Sequence, residues 1–257
     1  MTIDIQTLIE QRPHLKEPFE LYAKWQRFQE QTADLLPRVR SAVAAEESRA
    51  YPRESTGPIF ELFSAIFDLP REDFIPLRRA LDLGEIDFMR LPLDELPDIP
   101  DLACSKEELA SLLFLFSRPY FLALRESFPL DGSEWEEGRC PLCSAQAALA
   151  TISEGPKRRL HCSFCATSGP YRHFIGCPSC GSVDVEQLNT ILSDDEPGFR
   201  VVTCDHCQSY VKIFENSVLK EMTLDLADLA SIPLDIVVQG KNFLRRVPNP
   251  ISLKIMK

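Results

Sequence analysis

No apolar run in this 257-residue chain has the length of a membrane span. The longest candidate, LASLLFLF at 109–116, has the length of a core helix, so no membrane insertion is expected. The start, MTIDIQTLIEQRPHLKE, lacks the basic stretch and apolar core of a secretory signal. The expectation is a cytoplasmic protein whose thiols stay reduced. Positive charge is scarce as well. The formal net charge is −11, and KRR at 157–159 is the only basic cluster near the cysteines. Phosphate backbones are bound by displacing counterions with Lys and Arg, so a nucleic-acid-binding ribbon is disfavoured and no nucleic-acid partner is expected. There is no phosphate-binding loop, no dinucleotide glycine fingerprint and no Gly-x-Ser-x-Gly elbow. No catalytic residue is assigned, and the chain is read as not an enzyme.

What the sequence does have is cysteine in a fixed pattern. Eight of its nine cysteines form four Cys-x-x-Cys pairs: Cys140/Cys143, Cys162/Cys165, Cys177/Cys180 and Cys204/Cys207. An odd total in a reducing compartment argues against a disulfide framework. Four pairs with no strand–helix–strand pattern around them read as metal ligands rather than redox couples. One such pair puts two thiolates on one tight turn, and two turns complete a tetrahedron.

Loop lengths suggest the pairing. The stretches 144–161 and 181–203 are each long enough for a hairpin, whereas 166–176 fits one strand and a turn. The first pair is therefore matched with the second as site 1, and the third with the fourth as site 2. A cross-braced arrangement, first with third and second with fourth, stays open. Zinc and mononuclear iron of the rubredoxin kind both suit four thiolates, so two ions, iron or zinc, are expected. A ferredoxin cluster would want tighter cysteine runs. In CPSCG the glycine eases a left-handed turn beside the sulfurs; Ser144, Ala166 and Gln208 follow the other knuckles and suit it less. His161 and His206 are read as solvated or neighbouring groups, since four thiolates already fill a site. Cys104 has no histidine near it in sequence and is read as packing.

Residues 1–136 read as an all-α domain. Leu21, Trp25, Phe28 and Leu35 recur at roughly helical spacing, with Pro18 near a plausible start. Ile59, Leu62, Phe63, Ile66 and Phe67 form a second stripe. Ser105 and Glu108 have capping-box spacing, and Pro119 is expected to end or kink the helix they open. From about 137 the pattern turns to short β-type runs, RRLHCSF, GPYRHFIG, FRVVTC and YVKIFE, separated by turn signals at Gly155-Pro156 and DDEPG. The knuckle recurs four times, which suggests two versions of one two-knuckle unit: 137–173 and 174–217. After 217 helical spacing returns, with Met222, Leu226 and Leu229 on one face.

These knuckles, the stretch CDHCQSYVKIF and the tail DLADLASIPLDIVVQGKNFLRRVPNP resemble the FdhE family of formate dehydrogenase accessory proteins. The tail positions that carry the likeness are Asp228, Leu229, Ala230, Ser231, Leu234, Asp235, Gly240, Phe243, Arg245 or Arg246, Asn249 and Pro250. The resemblance implies an α+β protein: a helical N-terminal domain, two tandem rubredoxin-like four-cysteine modules and a helical tail over 218–257. It implies a cytoplasmic assembly factor or chaperone for the catalytic subunit of a molybdenum- or tungsten-dependent formate dehydrogenase. The alternative reading is a rubredoxin-type electron carrier or thiol–metal redox protein.

Overall fold

The computed structural model describes residues 3–32, 35, 49–152, 158–173, 175–192, 197–247 and 249. The Gly155-Pro156 turn, Lys157 of the basic cluster, most of DDEPG, and Pro250 with the residues after it lie outside the described residues. The fold is α+β, with helices in the N-terminal part and two four-cysteine clusters in the C-terminal region. Among the described residues no helix is long and apolar enough to cross a membrane.

The helical part comprises α1 (Ile5–Gln11), α2 (Lys16–Gln31), α3 (Arg53–Phe67), α4 (Ile75–Leu83) and α5 (Lys106–Ser127). Its core is aromatic. Phe28, Phe63 and Phe116 meet edge-on or stacked, with ring centroids 5.0–6.3 Å apart. The helix stripes fall largely as the spacing predicts: Trp25, Phe28, Ile59, Phe63 and Ile66 are buried, while Leu21, Leu62 and Phe67 are half-buried. The capping box forms: Ser105 accepts from the Glu108 N–H, and the Glu108 carboxylate accepts from the Ser105 N–H.

Pro119 does not end α5, which runs on to Ser127. A proline in mid-helix leaves the carbonyl four residues back without its donor. Here that carbonyl belongs to Leu115, and the buried Trp25 indole N–H donates to it at 3.2 Å. Tyr51 donates to the next carbonyl, Phe116, at 2.7 Å. Tertiary contacts thus take over from the missing helical bond.

Among the described residues the cysteine region forms one seven-stranded sheet: β1 (Leu149–Ile152), β2 (Arg158–His161), β3 (Ser168–Pro170), β4 (Leu188–Leu192), β5 (Phe199–Cys204), β6 (Ser209–Glu215) and a short β7 (Leu244–Arg245). Its order is β3-β2-β1-β6-β5-β4, with β7 beside β6. The same succession occurs twice: knuckle, strand, strand, knuckle, strand. Within each half the strands are antiparallel. The halves join where β1 runs parallel to β6, Ala150 opposite Ile213. The described residues of the GPYRHFIG run yield only β3 and a bridge from Tyr171 to Trp135.

The tail breaks into α6 (Asn216–Glu221), α7 (Leu224–Ala230) and α8 (Ile232–Gln239). Met222, Leu226 and Leu229 are all buried, but Met222 lies in the break, because Thr223 caps α7 by accepting from the Leu226 N–H. The tail touches both other parts. Tyr22 and Thr223 hydroxyls meet at 3.1 Å, and Glu221 accepts from the Ile3 N–H at 2.7 Å. Towards the sheet it builds a buried charge network. Lys212 on β6 is fully buried and meets Asp228 at 2.5 Å and Asp235 at 2.6 Å. Arg245 grips Asp228 with two hydrogen bonds of 2.8 and 2.7 Å, and Asn249 donates to Asp228 at 2.8 Å. Tyr210 donates to Asp235 at 2.6 Å. Each buried charge has an opposite partner, the condition under which burial is tolerated.

Candidate metal centres

All four knuckles share one backbone device. In each, the residue after the second cysteine is left-handed: Ser144 at φ 62°, Ala166 at 59°, Gly181 at 73° and Gln208 at 52°. In the first three, this residue's N–H donates back to the first cysteine's carbonyl at 2.8–3.1 Å. The first cysteine's N–H donates to the carbonyl five residues on, at 2.8–3.0 Å. The fourth knuckle closes the β5–β6 hairpin, Cys204 opposite Ser209. Three knuckles therefore hold side chains where glycine is the cheapest residue.

The turns bring together Cys140, Cys143, Cys162 and Cys165 in one group and Cys177, Cys180, Cys204 and Cys207 in another. This is the tandem arrangement; the cross-braced one does not occur. A tetrahedral ion with bonds of about 2.3 Å to sulfur requires sulfurs about 3.8 Å apart. In the first group Cys140–Cys165 and Cys143–Cys162 are 3.4 Å apart and Cys143–Cys165 3.7 Å. In the second, Cys177–Cys207 is 3.6 Å and Cys180–Cys204 3.8 Å. These distances are near the tetrahedral value and far beyond a disulfide bond of about 2.05 Å. Either group can hold a metal ion.

The protonation pattern agrees with that fit. Burial pushes the Cys162 thiol well up, while hydrogen bonds from Cys140, Cys143 and Cys162 hold Cys165 far below the usual thiol range. In the second group partial burial, with Cys207 and Cys177 beside it, pushes Cys180 up to about 12. Burial also works against the Cys207 thiolate, but the Ser209 hydroxyl, 2.9 Å away, and the three other thiols bring Cys207 down to about 7. Four bare thiolates crowded together repel one another. A divalent cation removes that conflict, since coordinating thiols give up their protons.

The surroundings differ. The first group is sealed, with every cysteine at most 2% exposed. Its second knuckle plugs into the helices: the Phe164 ring packs against Phe114 and Phe121, centroids 4.8 and 5.3 Å away. Arg118, buried in mid-α5, donates to the carbonyls of Ser163 and Phe164 and reaches Asp225 at 3.3 Å. The Cys165 sulfur and the Thr167 hydroxyl lie 3.1 Å apart. The second group is open: Cys180 is exposed and Cys207 half-exposed. Its third knuckle rests on the first half. Gln146 donates to the carbonyls of Pro178 and Ser179, both at 3.1 Å. Gly138, at φ 66°, lies so close that a Cβ there would sit 1.9 Å from the Pro178 oxygen. Its fourth knuckle is steadied by the tail, with Leu244 donating to Gln208 at 2.8 Å and Arg246 to Cys207 at 3.1 Å.

The histidines stand apart from both groups. His206 is exposed, and His161 meets the Thr151 hydroxyl at 2.8 Å. Burial, with Arg159 nearby, lowers His161 to about 4, so it is neutral at neutral pH. Cys104 is half-buried beside a groove of about 1290 Å³ lined by Glu85, Asp87, Arg90 and Glu95. Burial and Glu108 raise its thiol, the opposite of an activated nucleophile. Sequence reasoning missed Arg118, Arg158, Gln146 and Lys212. Only Lys212 leaves a trace, a lone charge inside the apolar run YVKIFE.

Residues 175–252 match the family model described as FdhE, C-terminal domain. A protein FdhE homolog of Aquifex aeolicus is 26% identical over 145 residues, 55% of this chain and 51% of the relative. One from Shewanella baltica is 32% identical over 123 residues, 46% of this chain and 40% of the relative. The chain thus spans about half or less of the curated relatives' length. The crystal structure of the FdhE protein from Pseudomonas aeruginosa shares the fold, with a TM-score of 0.53 over 89% of this chain and 79% of that one, at 21% identity. The matched stretch contains the buried network of Asp228, Asp235, Arg245 and Asn249. Over residues 175–252 this chain is similar to the FdhE C-terminal domain, and its fold is that of the FdhE protein from Pseudomonas aeruginosa.

Proposed function

We propose that this chain is a non-catalytic accessory factor for the catalytic subunit of a formate dehydrogenase, acting in the cytoplasm with one iron or zinc ion in each four-cysteine centre. Cys140, Cys143, Cys162 and Cys165 hold the first ion, and Cys177, Cys180, Cys204 and Cys207 the second. The observation that carries the reading is an open four-sulfur centre built on an FdhE C-terminal domain. A centre needed only for folding gains nothing from exposure. One that meets a partner needs a rigid, accessible face, and metal-fixed turns need little ordering on binding. Exposed Ile175, Val183 and Val185 lie near the third knuckle in sequence, and exposed Leu244 is tied to the fourth. They give the client's surface apolar contact without a large sticky patch. The domains are read as 1–136, 137–173, 174–217 and 218–257, with the tail as the strap across the others.

Affinity capture of the full chain from cells grown anaerobically on formate tests this. The formate dehydrogenase catalytic subunit should be recovered, and deletion of the chain should lower enzyme activity while the client polypeptide is still made. Normal activity in the deletion strain contradicts the assignment. The exposed Cys180 also favours a second reading, a rubredoxin-type electron carrier. Ferric iron on four thiolates is coloured and paramagnetic whereas zinc is silent, so the spectrum of anaerobically purified protein separates the two.

A further inference from the structure

Four cationic side chains are buried among the described residues, and three have carboxylate partners. Arg118 has Asp225, Lys212 has Asp228 and Asp235, and Arg245 has the same two aspartates. The fourth, Arg158 on β2, is 4% exposed and pairs with no carboxylate among the described residues. Its Nη1 donates to the Gly176 carbonyl at 2.9 Å, the residue before Cys177. Its Nε and Nη2 have no hydrogen-bond partner among the described residues. The guanidinium lies 5.7 Å from the centre of the Tyr171 ring, and the Tyr171 hydroxyl donates to the Cys177 carbonyl at 3.3 Å. A buried cation with no counter-charge costs several kcal/mol. Something must balance it.

We infer that Arg158 is the counter-charge of the second four-cysteine centre, holding the Cys177 knuckle through Gly176 and neutralising part of the centre's net negative charge. This rests on the reading that the second centre binds a metal. Four thiolates around a divalent ion leave two negative charges, and around ferric iron one. Either supplies what the carboxylates supply to the other three cations. The Tyr171 hydroxyl stays protonated as it donates to the Cys177 carbonyl, so the negative charge that acts on Arg158 is that of the Cys177 sulfur as a ligand. The two buried arginines then play parallel parts. Arg118 holds the carbonyls of one knuckle and is balanced by Asp225; Arg158 holds the carbonyl beside another and is balanced by the centre itself. Because Arg158 belongs to the first half of the sheet, the second ion would be stabilised by charge from outside its own half.

The test is zinc retention by the full chain under a graded chelator, for the wild type, Arg158→Gln and Arg158→Lys. Wild-type protein that fails to hold two zinc ions defeats the metal reading itself, not the inference. Given two ions, Arg158→Gln should hold one of them about 10–100-fold more weakly and the other unchanged, the usual size of effect for a group supporting a ligand. Arg158→Lys keeps the charge but gives up the planar fork, and should lose less than about tenfold. In iron-loaded protein, Arg158→Gln should lower the midpoint potential of one centre, because a cation favours the more negative ferrous form. Unchanged retention in Arg158→Gln overturns the inference. A tenfold or greater loss in Arg158→Lys also overturns it, and does not depend on the glutamine variant folding.

Discussion

The two four-cysteine centres are built from the same turn and differ in everything around it. Both use left-handed knuckles, and both gather four sulfurs near tetrahedral spacing. The first is sealed into the helical core by Phe164 and Arg118. The second hangs between a knuckle resting on Gly138 and Gln146 and another steadied by the tail, with Cys180 in solvent. Local sequence brings the cysteines together; long-range packing decides whether their sulfurs are sealed or accessible.

The largest effect that would break this comparison comes from Cys140→Ser with Cys162→Ser. Structural zinc contributes about 10–16 kcal/mol of folding free energy, comparable to or above a domain's whole margin of about 5–15 kcal/mol. That pair should unfold the cysteine region and loosen α5. Cys180→Ser with Cys207→Ser should empty the second centre and leave α5 protected. Amide hydrogen exchange on both variants checks this, and equal loss of protection would mean that the centres are equivalent.

Next in size is the network that straps the tail to β6. Asp228→Ala leaves Lys212 and Arg245 short of a partner and should cost about 3–5 kcal/mol in denaturant titration. Its pH dependence follows from the sign of the shift. Burial raises the Asp228 carboxyl, but Arg245 and Lys212 more than offset this and leave it well below the usual carboxylate range. A group depressed on folding stabilises above its unfolded pKa, so the contribution is full at neutral pH and fades as pH falls below about 4. The wild type should lose stability over that window and Asp228→Ala should lose less.

Smaller again is Trp25→Phe, which strands the Leu115 carbonyl under Pro119 and should cost about 1–3 kcal/mol beyond the lost packing. Smallest are the knuckle residues themselves. Ala166→Gly and Gln208→Gly relieve a left-handed side chain and should each stabilise by about 0.5–1 kcal/mol, while Gly181→Ala should destabilise by a similar amount.

Much of the centre was legible because it is local. Cys-x-x-Cys fixes a turn, and hairpin-length loops fix which turns meet. Other features were not local. β1, LATI in sequence, is buried at Leu149, Ala150 and Thr151 and shows no alternation. β4 is an exposed edge with no apolar face to betray it. The β1–β6 pairing joins segments about sixty residues apart, with no signal in either. Pro119 reads as a helix breaker until Trp25 arrives from another helix. The tail motif was visible as a likeness, but its purpose, the neutralisation of buried Lys212, depends on a strand that precedes it.

The most direct test of unequal centres is a timed chelator challenge on the zinc-loaded chain, followed by intact-mass measurement and alkylation mapping. The account predicts two phases: one ion leaves first, and Cys180 and Cys207 become alkylated while Cys140, Cys143, Cys162 and Cys165 stay protected. Loss of both ions in one step, with all eight cysteines labelled together, would contradict it.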